Sequence, residues 1–247
     1  MDYTIQYNGK TNLDFDMYWD TDGNFELGTG TPDIDTTDIP GVSGTILDFN
    51  NSYKNFEQKF VFYAVTKEMT ANELKTRLTT WLLKDPTYHQ LSFSNDPDYY
   101  YIAAPNPSSV LKFPAFNKHY SKVEISFTVK PFKYRLDGRD EYSIPTTLIN
   151  PEQWLSYPLI HIVGNEGVTL NINDQKYQLT SIGGEVFIDS EPVKSIVYHD
   201  LSEQGMRNAT AIFPDHSFPV LNAGENNISI TGNYQSATII PRWRTLC

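Results

Sequence analysis

Apolar residues along this chain recur mainly at a period of two, the spacing of a pleated strand with one buried face. From Phe56 to Val65, Phe60, Phe62 and Ala64 alternate with Val61, Tyr63 and Val65, which predicts a central strand apolar on both faces over its second half. Upstream, Asp22-Gly23 lies between Met17-Tyr18-Trp19 and Phe25 and Leu27. Asp-Gly favours a tight type I′ turn, so a hairpin is expected there. The stretch from Gly28 to Gly44, rich in Gly, Thr, Asp and Pro, breaks every periodic pattern and reads as an extended excursion or long loop.

The period changes to that of a helix at Ala71 to Lys84. Leu74, Leu78, Trp81 and Leu82 share one face at i, i+4, i+7 and i+8, and Thr70 with Glu73 forms a capping box ahead of them. Asp85-Pro86 ends the helix, and Trp81 is expected in the core. Strands follow at Leu91–Phe93 and Tyr99–Ala103, joined by the turn-forming run Ser94 to Asp98. Val123, Ile125, Phe127 and Val129 point inward from a strand whose Glu124, Ser126 and Thr128 face solvent, with Pro131 as its end.

The polar run Arg135 to Ser143 reads as a linker between two domains, 1–143 and 144–247. Beyond it the pattern is wholly β. Seven short strands are expected, at Leu159–Val163, Val168–Ile172, Tyr177–Ile182, Val186–Ile188, Val193–Tyr198, Asn227–Thr231 and Ala237–Ile240. That spacing over roughly 100 residues predicts an antiparallel β-sandwich. The fold class is therefore mainly β: an N-terminal β-rich domain with one α-helix, followed by the sandwich.

Composition narrows the partners. Hydrophobic residues make up 39% and aromatic residues 14% of the chain, too much for a disordered protein and enough for a real core, whether in one large domain or two. The net charge of −11 argues against a nucleic-acid binder, which needs a basic face. Residues 1–50 hold ten acids and one base, Lys10. That acidic opening is either a solvated surface or a device that repels a polyanion. The polar start and the lack of any segment of about 18 apolar residues predict cytoplasmic synthesis and no membrane span. Cys247, the single cysteine, allows no internal disulfide.

Catalytic chemistry is thinly represented. His89, His119, His161, His199 and His216 are scattered, with no i, i+4 metal-binding pair, and neither a G-x-S-x-G elbow nor a phosphate-binding glycine loop occurs. His161, inside an apolar strand, is read as a hydrogen-bonded core histidine. Asp14, Asp16, Asp20 and Asp22 form the densest acid cluster, but Gly23 comes too early for a calcium loop of the EF-hand type. No catalytic, cofactor or metal residue is assigned.

At Ile39-Pro40-Gly41-Val42-Ser43-Gly44-Thr45-Ile46-Leu47 the chain resembles the distal tail proteins of siphophages, in which an Ile-Pro-Gly segment and a second glycine precede an apolar strand. The likeness continues in order through Trp81-Leu82, the run Leu91 to Tyr101, Ile125-Ser126-Phe127 and Pro131-Phe132. It extends through Tyr157-Pro158-Leu159-Ile160, Gly183 to Glu191, and Phe213-Pro214 to Asn226, so it spans nearly the whole chain. Val42 departs from the basic residue that often follows Pro-Gly in that family.

The resemblance implies a six-fold ring of N-terminal domains at the end of the tail tube, with galectin-like sandwiches at its periphery and a channel through which DNA passes unbound. The implied partners are the tail-tube protein, a tail-associated lysin or fibre hub protein, and a receptor-binding protein, all in a virion tail assembled in the host cytoplasm. Ile39, Pro40, Gly41 and Gly44 are candidates for the ring interface, and Asp33, Asp35 and Asp38 for the channel charge. A competing expectation is a cell-wall carbohydrate-binding protein whose sandwich offers Trp154, Tyr157, Tyr234 or Trp243 as an aromatic platform. A polysaccharide-cleaving enzyme fits the acid content and little else.

Overall fold

Period-two segments dominate the computed structural model as they dominate the sequence. It describes residues 3–20, 25–65, 69–116, 120–201, 205–208 and 211–247. Two compact units emerge: Met1–Lys133 together with Leu246–Cys247, and Tyr134–Thr245.

The first unit contains β1 (Ile5–Tyr7), β2 (Lys10–Thr11), β3 (Met17–Trp19), β4 (Thr31–Asp38), β5 (Thr45–Lys54), β6 (Phe56–Val65), α1 (Ala71–Leu83), β7 (His89–Phe93), β8 (Tyr99–Pro105), β9 (Leu111–Phe116) and β10 (Tyr120–Arg135). Its main sheet runs β2-β1-β7-β8-β10-β6-β3, with β9 also paired to β10. The inward side chains Phe60, Phe62, Ala64, Val123, Ile125, Phe127 and Val129 are wholly buried. Helix α1 lays Leu74, Leu78, Trp81 and Leu82 into this core. Its capping box forms as the sequence predicts, with Thr70 Oγ1 accepting from the Glu73 amide and the Glu73 carboxylate accepting from the Thr70 amide. The Trp81 ring stacks on Phe15 at 4.8 Å between centroids, and its Nε1–H donates to the Tyr7 carbonyl at 2.9 Å. Burial there pushes the Tyr7 phenol well above its ordinary pKa.

Several local expectations change. Met17–Trp19 pairs with β6, Tyr18 opposite Tyr63, rather than with Phe25 and Leu27, which lie outside any strand. The Asp22-Gly23 turn itself lies outside the described residues. Long-range pairing to a preformed central strand buries Met17 and Trp19, which a local hairpin leaves in water. β6 is buried on one face; Tyr63 and Val65 on the other face are exposed. Ser126, expected in solvent, is buried, and its amide donates to the Val110 carbonyl. Pro131 does not end β10, which runs on to Arg135, because the Pro131 carbonyl still accepts a bond, from the Cys247 amide.

The second unit adds β11 (Tyr142–Ser143), β12 (Thr147–Asn150), β13 (Leu159–Gly164), β14 (Val168–Ile172), β15 (Gln175–Leu179), β16 (Gly184–Asp189), β17 (Ile196–Leu201), β18 (Gly205–Asn208), β19 (Ala211–Ile212), β20 (Gly224–Gly232) and β21 (Ser236–Ile240). A last short strand, β22 (Arg244–Leu246), pairs with β10. Two antiparallel sheets result, β11-β21-β13-β16-β17-β18 and β12-β20-β14-β15-β19. Ile160, Ile162, Val186, Ile188 and Ile239 of the first and Leu170, Ile172, Tyr177, Leu179 and Ile228 of the second share one core with Trp243.

The run expected as a linker holds a 3-10 turn at Asp137–Arg139, in which the Gly138 carbonyl accepts the Arg242 amide. Buried Asp189 is met by Arg242 at 2.6 Å and Lys194 at 3.2 Å. Burial opposes its ionisation, but the Arg242 guanidinium outweighs that and holds the carboxyl below the usual range.

Replacing Trp81 with Ala removes the ring that joins α1 to Phe15 and leaves the Tyr7 carbonyl without its indole donor. Denaturant unfolding is expected to show a loss of about 3–5 kcal/mol; a loss under about 1 kcal/mol contradicts the packing role.

Candidate assembly surface

The segment expected as an irregular excursion is a regular β-hairpin. Among the described residues strands β4 and β5 pair only with each other, forming a separate two-stranded sheet. Thr and Ile supply the strand-forming residues, and the tip explains the Ile-Pro-Gly signature. The Val42 amide donates to the Ile39 carbonyl at 3.1 Å, with Pro40 and Gly41 between them and Gly41 at φ +84°. Those are the marks of a type II turn: Pro presets its second position, and the third needs a positive φ that glycine adopts without strain. Gly44, at φ +97°, completes the reversal into β5. Of the four proposed interface residues, Pro40, Gly41 and Gly44 thus shape the tip, while Ile39 is a side chain exposed there.

Register sorts the remaining side chains onto two faces. Ile34 stands opposite Phe49, Thr36 opposite Leu47 and Asp38 opposite Thr45, so these six share one face. Asp35 stands opposite Asp48 and Thr37 opposite Ile46 on the other. Asp33 sits at a bulge, where its carboxylate is bound by Lys54 at 2.8 Å and by Ser52, and where Asn50 serves both it and Asp35. The Lys54 hydrogen bond holds the Asp33 carboxyl below its ordinary pKa. The structure therefore brings Asp33, Asp35 and Asp48 together and sets Asp38, bound by the Thr45 hydroxyl, on the opposite face. Asp48 is an acid the sequence reading missed; knowing the cross-strand register is what identifies it.

Directly opposed like charges such as Asp35 and Asp48 destabilise a strand pair. The other face is uncovered apolar surface: Leu47 is 66% and Phe49 41% exposed. Ile39 and Val42 extend the exposed apolar surface at the tip, both more than 40% exposed, while Ile46, 53% exposed, lies on the face of Asp35 and Asp48. At the base, Phe49 meets the Tyr53 ring at 5.6 Å, and Tyr53 meets Phe132 at 5.7 Å, which anchors the hairpin to β10.

Other candidate groups have structural partners. Asp14 accepts the Thr11 amide in a capping box and is held below its usual pKa by that bond. Asp16 takes a left-handed conformation at the end of the same 3-10 turn, Asp20 lies 3.9 Å from Lys122, and Asp22 is outside the described residues. Among the described residues no group of three or more His, Cys, Asp or Glu is placed to hold a metal.

His161 is not in the core: it lies on the outward side of β13, bound to Glu185 at 2.9 Å and stacked on Phe187 at 4.1 Å. Of the aromatic residues considered for sugar stacking, Trp243 is buried, and the Tyr157 ring is covered by Arg244 at 4.2 Å. Trp154 is half-buried and Tyr234 is 38% exposed.

Residues 20–129 match the family model described as a phage tail protein RIFT-related domain. The crystal structure of the Dit protein of phage SPP1, described as a paradigm of the hub adsorption apparatus of phages that infect Gram-positive bacteria, shares the fold over 100% of both chains. Its TM-score is 0.72 at 16% identity. A chain of the phage p2 baseplate in its activated conformation aligns over 100% of this chain and 98% of its own, with TM-score 0.50 and 10% identity. No curated protein matches the sequence. These findings bear out the resemblance to siphophage distal tail proteins.

A ribbon with no sheet behind it has weakly protected amides. In the dilute single chain, hydrogen exchange across Thr31–Asp38 and Thr45–Lys54 is expected to be much faster than across Phe60–Ala64. Equal protection of the two regions contradicts a solvent-covered hairpin.

Proposed function

We propose that this chain, which carries a phage-tail RIFT-related domain within the fold of a siphophage distal tail protein, is a structural protein of the virion tail. In this reading six copies close a ring at the distal end of the tail tube. The ring joins the tube to the tail tip or baseplate and leaves a channel for DNA. Its neighbours are the tail-tube protein on one side and, on the other, a tail-associated lysin or fibre hub protein and a receptor-binding protein.

The observation that carries the reading is the β4–β5 hairpin. A two-stranded ribbon is marginal in water, and this one exposes both strand edges and an apolar face. Covering a large apolar side chain removes a cost of about 1.5–3 kcal/mol when burial is complete, so Leu47 and Phe49 strongly favour an assembled state. With the apolar face packed in the ring, the opposite face, bearing Asp33, Asp35 and Asp48, turns to the channel. Negative charge there keeps DNA phosphates from adhering as they pass.

Light scattering at tens of micromolar, with and without tail-tube protein, is expected to give six times the 28.2 kDa of one chain, and electron microscopy a particle with a central hole. Replacing residues 31–54 by a short glycine turn is expected to abolish the ring while the second unit stays folded. A parent chain that remains monomeric at every concentration, also with tail-tube protein, refutes the ring.

The channel assignment has its own test. Converting Asp33, Asp35 and Asp48 to Lys is expected to create DNA binding that the parent lacks and that falls steeply with salt, whereas Asp38→Lys alone creates little. Equal, negligible binding by all three proteins at low salt removes the acid face from the channel.

A further inference from the structure

We propose that a groove along α1 in the first unit takes an acidic peptide segment of another tail protein, with Lys10, Arg77 and Lys84 binding its carboxylates. The class of partner rests on the tail reading above; the groove itself does not depend on the ring.

The groove, of about 520 Å³, lies between the exposed side of α1 and the turn that joins β1 to β2. Phe15 and Trp81, stacked on each other and almost wholly buried, form its floor. Thr76, Arg77, Thr80 and Lys84 line it from the helix because residues four apart share a face. From Thr76 to Lys84 the helix rises roughly 12 Å, the length of about four residues of extended chain.

Three cations converge there without a carboxylate. The Lys10 ammonium lies 5.4 Å and the Arg77 guanidinium 5.6 Å from the centre of the same Phe15 ring, so the two charges are within about 11 Å of each other. Lys84 stands at the C-terminal end of α1. Among the described residues none of the three has a carboxylate within 4 Å. Arg77 donates to neutral acceptors, the Asp14 carbonyl at 3.3 Å and the Met69 sulfur at 3.7 Å. In a chain with 30 acids and 19 bases, Lys54, Lys122, Lys133, Lys194 and Arg242 all have carboxylate partners.

The acids nearest the groove are committed elsewhere. Asp14 accepts the Thr11 amide and hydroxyl, and Glu73 closes the capping box with Thr70. Asp85 accepts the Thr87 hydroxyl and lies 3.2 Å from His89. These bonds hold the carboxylates away from the cations.

The same acids select a short peptide over nucleic acid. A long polyphosphate meets both Asp85 in the groove wall and a net charge of −11 on the chain. A peptide with two or three Glu residues senses mainly the local cations, because salt screens charges beyond about 8 Å. Its carboxylates meet Lys10, Arg77 and Lys84, its methylene stems cover the Phe15–Trp81 floor, and its amides have Asp85 and Thr80 as acceptors.

A dye-labelled hexaglutamate peptide is the probe, read by fluorescence anisotropy with the dilute parent chain. Binding is expected at low salt and is expected to fall steeply as salt rises to about 200 mM. Lys10→Glu or Lys84→Glu alone is expected to weaken it roughly five-fold, and the two together roughly 25-fold, as for independent sites. Lys112→Glu with Lys176→Glu, at exposed lysines elsewhere, makes the same change in net charge and is expected to leave binding within about two-fold. Matching thermal unfolding confirms that the variants fold. Lys10→Gln with Lys84→Gln replaces any that does not, with a smaller loss in the same direction.

Absence of hexaglutamate binding at low salt overturns the docking. An equal loss in the Lys112, Lys176 variant does so too, since it makes binding a matter of net charge. Tighter binding of an oligothymidylate of the same charge, lost with Lys10 and Lys84, makes nucleic acid the occupant and also overturns it. Rings formed by a parent that ignores the peptide leave the tail reading standing without the groove. Peptide binding by a parent that never forms rings does the reverse.

Discussion

A two-stranded ribbon has no second layer, and that constraint governs how this protein is built. The main sheet of the first unit buries Phe60, Phe62, Ala64, Val123, Ile125, Phe127 and Val129 in a core shared with the helix. The ribbon of Thr31–Asp38 and Thr45–Lys54 packs only at its root, through Tyr53 and Phe132. Beyond that root, Leu47 and Phe49 face water, and among the described residues neither backbone edge has a strand partner. The rest of the unit supplies what such an arm needs: a sheet to hold its root and a capped helix packed into the core behind that sheet.

The tip shows how a short signature acquires a mechanical meaning. Pro40 and Gly41 occupy the two positions that a type II turn restricts most, so the motif encodes a reversal and leaves Ile39 and Val42 to make the apolar contact. The residue after Pro-Gly, Val42, is apolar and 61% exposed. That places an apolar side chain at the tip of an otherwise acidic arm. Asp35 and Asp48 face each other at a cost to the ribbon itself, a conflict that makes sense for a charge serving something outside the fold.

Many of the acidic, histidine and cysteine side chains are occupied by the architecture. Asp14 caps a turn, Asp189 is neutralised by Arg242 in the sandwich, and Asp96 receives both the Tyr101 hydroxyl and Lys133. The Cys247 thiol is pushed up to about 12 by burial, so it is protonated and unreactive at neutral pH. His161 ties adjacent strands of the sandwich together through Glu185 and Phe187.

Local physics settled much of this in the sequence. The capping box and i, i+4, i+7 face of α1 and the alternation of Val123 to Val129 depend on neighbours within a few residues and are legible, as are most strands of the sandwich, although Thr180–Ile182 and Val193–Ser195, expected in strands, lie in connections. What stayed hidden depends on which segments meet. Trp19 was assigned to a hairpin because turn chemistry is local, while its true partner, β6, lies some forty residues along the chain. The ribbon was hidden because strands with no core behind them carry no buried face, and hence no alternation to read. Asp48 was hidden for the same reason: cross-strand register decides which residues share a face, and register is a property of paired strands rather than of either strand alone.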